Sequence, residues 1–271
     1  MNTALLTLSQ LRYRAGGRYL LDDITALANA GELIALLGPN GAGKSSLIRV
    51  LAREFSDYGG DIMLQGISLK QWRGPALAGV RAVMPQHATV AFPFAAAEVV
   101  ALGLPGRHSG NASHPAVMQL MRWLQVDHLA WRFYSSLSGG EQQRVQLARV
   151  LTQLWFTSGP KLLLLDECTS ALDPAQQYRV MAVLSRLAQR GDFCVVVACH
   201  DLALAASFAT RVWMLDHGRL VADGTPAQVL QRDRLENVYG ITTEVQLRSA
   251  RPVIHIKGCS ESIPEMIPEL V

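Results

Sequence analysis

LIALLGPNGAGKSSLIRVLAREF, residues 33–55, runs from a continuous apolar stretch through a glycine-rich turn into a helical pattern. Five apolar residues at 33–37 suit a strand buried on both faces, as in a parallel sheet. The turn Gly38-Pro39-Asn40-Gly41-Ala42-Gly43-Lys44-Ser45 fits G-x-x-x-x-G-K-[ST] and stands between strand and helix, the context its chemistry requires. Its glycines let the backbone wrap a phosphate chain, so that consecutive N–H groups and the helix N-terminus face negative charge. Lys44 reaches toward β- and γ-phosphates, the Ser45 hydroxyl is a Mg²⁺ ligand, and Ser46 continues the first helical turn. Gly38, Gly41 and Gly43 do not make the G-x-G-x-x-G of a dinucleotide site.

Working outward, the same strand–helix plan recurs. LLLL (162–165) ends in Asp166-Glu167 and precedes the helical AQQYRVMAVLSRLAQ; FCVVVAC (193–199) ends in His200-Asp201 and precedes LALAASFA. ALLTLSQLRYR (4–14) alternates as a strand, and Tyr19 to Ala28 reads as a second. Strands alternating with helices make an α/β fold with a mostly parallel sheet. From about 88 to 155 the periodicity is helical, in EVVALGL, AVMQLMRWLQV and EQQRVQLARVLTQL, which predicts an all-helical lobe inserted into a core of about 1–87 and 156–240. RVWMLD (211–216) and GRLVADG (218–224) return to strands, QVLQRDRLENVY to a helix and ITTEVQL to a strand-like extension; KGCSESIPEMIPELV (257–271) has no periodicity and reads as a flexible tail.

The carboxyl end of a strand in an open α/β sheet is where ligands bind. Asp166 is therefore placed to hold Mg²⁺, and Glu167 to polarise an attacking water. Leu137-Ser138-Gly139-Gly140-Glu141 opens a long helix; alone, it reads equally as a phosphate-facing helix start or as a serine N-cap.

With the phosphate-binding loop and the Asp-Glu strand end, that element resembles the nucleotide-binding domain of ABC transporters, whose LSGGQ signature it matches with Glu141 in the last place. The resemblance covers about residues 4–240 and implies a P-loop NTPase (RecA-like) core, an antiparallel N-terminal β-subdomain and the helical insert. It implies Gln86 (VMPQ) as the Q-loop glutamine touching Mg²⁺, Ser170-Ala171-Leu172-Asp173 as the D-loop and His200 as the switch histidine at the γ-phosphate, with Glu167 as the catalytic base. ATP and Mg²⁺ are the cofactors it implies, bound between the P-loop of one subunit and Ser138, Gly139, Gly140 and Glu141 of the other in a head-to-tail homodimer.

Two departures stand out. Cys168 replaces the proline usual after the Asp-Glu pair, and the position of the adenine-stacking aromatic, counted back from Gly31, falls near Ala15; Tyr13 is the nearest candidate and Tyr19 the runner-up. The wording further resembles ATPases of bacterial importers for haem, iron–siderophore and cobalamin, nearest the hemin group. That resemblance implies a membrane permease dimer, a periplasmic haem-binding protein as indirect partner, and residence at the cytoplasmic face of the inner membrane. HATVAFPFAAAEVVALGL (87–104) then reads either as a docking patch for the permease or as a core helix.

Composition narrows the alternatives. The 271 residues carry 49% hydrophobic and 17% charged side chains, which makes a folded chain. A net charge of 25 − 22 = +3 is too small for a nucleic-acid-binding field. No apolar stretch reaches bilayer length, the first residues lack a secretory pattern, and four cysteines without CxxC spacing fit a reducing compartment. Histidines 87, 108, 114 and 128 lack ligand spacing and read as solvated loop residues. A soluble ABC ATPase of translation or repair would show two cassettes or a coiled-coil insert. A kinase or GTPase would not need LSGGE, and a non-hydrolysing regulator would be expected to lack Glu167 or His200.

Overall fold

The structure is a computed structural model that describes residues 4–86, 90 and 92–259. In chain order its elements begin with strands β1 (Leu6–Ala15), β2 (Arg18–Ala28) and β3 (Leu33–Leu37), then helix α1 (Lys44–Leu51). Strands β4 (Gly59–Leu64) and β5 (Ile67–Ser68), helix α2 (Gly74–Val80) and strand β6 (Arg81–Met84) follow. Helices α3 (Ala96–Ala101), α4 (Pro115–Trp123) and α5 (Gly139–Leu154) occupy the insert. The chain then alternates through β7 (Lys161–Asp166), α6 (Pro174–Gln189), β8 (Phe193–Ala198), α7 (Leu202–Phe208), β9 (Arg211–Asp216) and β10 (Arg219–Gly224). Helices α8 (Pro226–Val229) and α9 (Arg232–Tyr239) lead to the hairpin β11 (Ile241–Arg248) and β12 (Arg251–Cys259).

The central sheet has the order β10-β9-β3-β8-β7-β6, parallel except for β10 at its edge. The period of two along its strands sorts the apolar residues into two cores. Leu33, Leu163, Leu165 and Val195 face a core completed by α3 to α7, whereas Ile34, Leu162, Leu164 and Val196 face one completed by α1. That second layer is closed by the antiparallel sheet β2-β1-β4-β5, the N-terminal β-subdomain that the resemblance implies, so α1 lies between two sheets.

Four features differ from the expectation. Strands β4, β5 and β6 and helix α2 carry too few apolar residues, in segments too short, to show a period; β4 begins with two glycines and β6 has four residues. Helix α1 stops at Leu51 instead of running to Phe55, because Arg53 turns into the left-handed region at φ 59°. The tail expected from Lys257 onward is strand through Cys259, paired with β11; residues 260–271 lie outside the described residues. His108 and His114 are half-buried and pack on each other and on Phe156, at 5.1, 5.8 and 5.3 Å between centroids, while His128 is exposed and His87 lies outside the described residues. The segment 87–104 divides: Ala96, Ala97, Val99, Val100 and Ala101 are core, and among its described residues only Phe92 and Leu102 stand out as large exposed apolar side chains, at 70% and 46%.

Candidate active site

β3, β8, β7 and β6 are successive neighbours in the sheet, and each delivers one functional segment from its carboxyl end: the P-loop, His200, Asp166-Glu167 and Gln86. Side chains 33, 81 and 121 positions apart in sequence are thereby brought into contact on one edge, where such sheets bind ligands.

The P-loop is shaped by close backbone approach. Gly38 sits at φ 145°, and a Cβ there would lie 2.2 Å from the Leu215 carbonyl oxygen; at Gly43, φ 106°, it would lie 2.7 Å from that of Leu20. The Gly38 N–H donates to the Tyr239 hydroxyl at 2.9 Å, and the Lys44 ammonium donates to the carbonyls of Gly38 and Pro39 at 2.7 and 2.9 Å. Gly43 caps α1 without a side-chain acceptor, so the first N–H groups of the helix remain for an anion. Asn40 and Gly41 are exposed at the tip.

The Ser45 hydroxyl donates to Asp166 Oδ1 at 3.1 Å. Burial pushes the Asp166 carboxyl above the usual carboxylate range, opposed first by the Ser45 hydrogen bond, and burial likewise pulls the Lys44 ammonium down. Both groups are held less charged than water would hold them, which an incoming anion and a hard cation would reverse. Ser45 and Asp166 offer oxygen donors of the kind Mg²⁺ takes.

Glu167 stands between two partners: Gln86 Nε2 donates to Oε2 at 2.8 Å, and His200 Nε2 lies 2.5 Å from Oε1. The three residues inferred for catalysis thus meet. Cys168, next in the chain, is fully buried, and burial pushes its thiol well above the usual range, so no thiolate competes with the carboxylates.

Ser138 caps α5 in a capping box: its hydroxyl accepts from the Glu141 N–H at 3.4 Å, and Glu141 Oε2 accepts from the Ser138 N–H at 2.8 Å. The Ser138 N–H, and after it the Ser138 hydroxyl donating to the same Oε2 at 2.9 Å, hold the Glu141 carboxyl below its ordinary value, which gives the glutamate a structural task alongside the inferred nucleotide contact. Ser138 and Gly139 are exposed, and none of the hydrogen bonds of 138–141 reaches the P-loop of the same chain. The D-loop lies against this helix start: a Cβ on Gly140 would be 3.0 Å from the Ala171 carbonyl oxygen. Asp173 closes the D-loop by capping α6 through the Gln176 N–H at 2.9 Å.

Tyr13, the nearest candidate for adenine, lies on β1. Its ring is partly buried and stacks on Phe55 at 4.6 Å and 10°, the consequence of α1 ending early. Tyr19 is 55% exposed and adjoins Leu20, whose carbonyl lies against Gly43. Sequence reasoning also missed Tyr239 and Gln143. Tyr239 touches Gly38 across 201 positions and carries no motif; Gln143 is one of several glutamines on α5.

The profile of the ABC transporter family matches residues 21–170. The chain belongs to the ABC transporter family. It is 43% identical over 90% of its length to the Hemin import ATP-binding protein HmuV of Photobacterium damsela subsp. piscicida, 92% of which is covered. A solved metal-chelate type ABC transporter in an inward-facing conformation superposes with a TM-score of 0.75 at 25% identity, covering 95% of this chain and 98% of that one. An ATP-binding cassette solved as a dimer after hydrolysis, with ADP and phosphate, shares the fold at TM-score 0.71 and 23% identity, over 82% of this chain and 98% of that one. As an ABC transporter ATPase, the chain has ATP as its nucleotide. Among the described residues of this ABC subunit, no helix is long and apolar enough to cross a membrane.

Proposed function

We propose that this ABC ATPase energises haem uptake in a bacterium. It works as a head-to-tail homodimer held by a permease dimer on the cytoplasmic face of the inner membrane, with haem delivered by a periplasmic binding protein. The observation that carries the hydrolytic reading is Glu167, held between Gln86 and His200 beside the Ser45–Asp166 pair. The haem reading rests on the name of the 43% identical relative.

In this reading Lys44 and the bare N–H groups of α1 bind the triphosphate, and Tyr19, with its ring exposed and its neighbour Leu20 against Gly43, replaces Tyr13 as the partner for adenine. Ser45, Asp166 and Gln86 would hold Mg²⁺, which supplies charge neutralisation on the β- and γ-oxygens when bound. His200 moves from Glu167 to the γ-phosphate, and the freed Oε1 accepts a proton from the attacking water. Ser138 and Gly139, exposed, and Gly140, half-buried, are unengaged by their own P-loop and close on the partner's ATP. Phe92 and Leu102 are the exposed apolar residues offered to the permease.

Reconstitution with a haem permease in liposomes, with periplasmic binding protein loaded with haem or ferric siderophore, tests this. ATP hydrolysis stimulated by the haem-loaded protein and abolished in Glu167→Gln is the expected result. Stimulation by siderophore instead would overturn the substrate, and undiminished hydrolysis in Glu167→Gln would overturn the catalytic role.

A further inference from the structure

Glu167 has a backbone φ of 54°, the left-handed region, which a residue with a side chain enters only when its surroundings hold it there. Its carbonyl accepts from Gln143 Nε2 at 2.8 Å and from the Ser170 hydroxyl at 3.1 Å. The other end of the same Gln143 amide, Oε1, accepts from the Ala171 N–H at 3.2 Å. One side chain from α5 therefore spans the turn from Glu167 to Ala171 and closes it from outside. The helix start lies close to the same turn, since a Cβ on Gly140 would make a tight 3.0 Å contact with the Ala171 carbonyl oxygen. Beside the turn lies a cleft of about 300 Å³, lined by Gln86, Gln143 and Ser170 among others, into which the turn can relax if it is released.

Helix α5 thus carries two things on adjacent turns: Ser138-Gly139-Gly140 at its start, the first two exposed, and Gln143 bound to the backbone of Glu167 in the same chain. We infer that Gln143 is a positioning residue for Glu167, and that it makes the orientation of α5, set by the ATP across the dimer, a determinant of hydrolysis in its own subunit's site. This rests on the head-to-tail arrangement and on Glu167 as the base, both proposed above. Gln143 touches no reacting atom. Its amide fixes where the Glu167 carboxylate points, and small displacements of such a group are costly in rate.

The test uses the assembled transporter in liposomes. Gln143→Met keeps the length of the side chain and removes both hydrogen bonds; Gln143→Glu keeps the acceptor for Ala171 and removes the donor to Glu167. In both variants kcat falls roughly tenfold or more, with the KM for MgATP and the melting temperature little changed. The Hill coefficient for ATP falls toward one, because the two sites lose their coupling. Wild-type kcat and cooperativity in Gln143→Met would overturn the inference. So would a loss of kcat matched by a loss of melting temperature and ATP affinity, since that is what a packing role produces. Glu167→Gln, run in parallel, separates the failures: if it remains active, the catalytic reading falls; if it is dead while Gln143→Met is normal, only the coupling falls.

Discussion

Tyr239→Phe removes one oxygen atom 201 residues from the P-loop glycine that depends on it. Gly38 is buried, and its N–H has the Tyr239 hydroxyl as partner at 2.9 Å. The peptide cannot swing to find another. On one side the Leu215 carbonyl lies where a Cβ would be; on the other the Gly38 carbonyl is held by Lys44 at 2.7 Å. The variant therefore leaves a buried donor unsatisfied, a penalty of about 1–3 kcal/mol. For a domain of this size about 2 kcal/mol corresponds to a melting temperature lower by roughly 4–8 °C. Because the loop binds nucleotide in ground and transition states alike, its loosening raises the KM for ATP while kcat stays near wild type.

Urea denaturation of the nucleotide-free chain reads the stability term. The pH series supplies an internal check. Burial pushes the Tyr239 phenol up to about 12, so the hydroxyl keeps its proton in the folded chain where an unfolded tyrosine, at 10.0, begins to lose it. The sign follows: the folded state binds more protons between those values, so wild-type stability falls as pH rises above about 10. Tyr239→Phe has no such group, so the gap between the two proteins is constant from pH 6 to 9 and narrows above 10. A midpoint in Tyr239→Phe equal to wild type, with unchanged KM, would refute the reasoning.

Asp166→Asn separates stability from activity. The folded Asp166 carboxyl lies above its ordinary value mainly through burial, so ionisation costs stability above that raised value, and the cost vanishes as pH falls below 3.8. The asparagine variant is expected to be more resistant to urea than wild type at pH 7, to lose that advantage in acid, and to lack hydrolysis; lower stability at pH 7 would contradict it. Gly38→Ala forces a Cβ against a backbone oxygen at 2.2 Å, so the P-loop must distort: expression as folded protein drops and ATP binding by equilibrium dialysis is lost, whereas Gly66→Ala, with open space around it but φ 74°, costs stability without touching ATP binding.

The parts of this molecule that were legible in its sequence are those where one local rule decides. Residues 33–37, 162–165 and 193–199 are apolar without a break, which only a strand covered on both faces tolerates, and all three are in the central sheet. Glycines at 38, 41 and 43 followed by Lys44 have few other uses before a helix. What stayed hidden depends on distant packing. β6 pairs with β7 through four residues, too few for a period, although its carboxyl end carries Gln86 to Glu167. Tyr13 has the composition of a nucleotide-stacking residue, but the left-handed turn at Arg53 returns Phe55 to cover its ring, and nothing near Tyr13 in sequence announces that. Gln143 is one of several glutamines on α5, and its tie to Glu167 exists only once α5 and β7 are packed.

Cys168 shows how the strand period and the backbone turn at Glu167 act together. Along β7, Leu164 belongs to the core shared with α1 and Leu165 to the core under α5 and α6. Alternation places Asp166 on the α1 side, where it meets Ser45, and would send an extended Glu167 to the opposite side, into the apolar core. An unpaired carboxylate there would be prohibitive. The φ of 54° ends the alternation at that residue, so the carboxylate stays at the sheet edge between Gln86 and His200, and Cys168 enters the core beneath α5 and α6 instead. The site behind Glu167 therefore demands a small, uncharged side chain. A buried thiol that keeps its proton meets that demand, which is why the departure from the family's proline at 168 leaves the two carboxylates and their partners assembled.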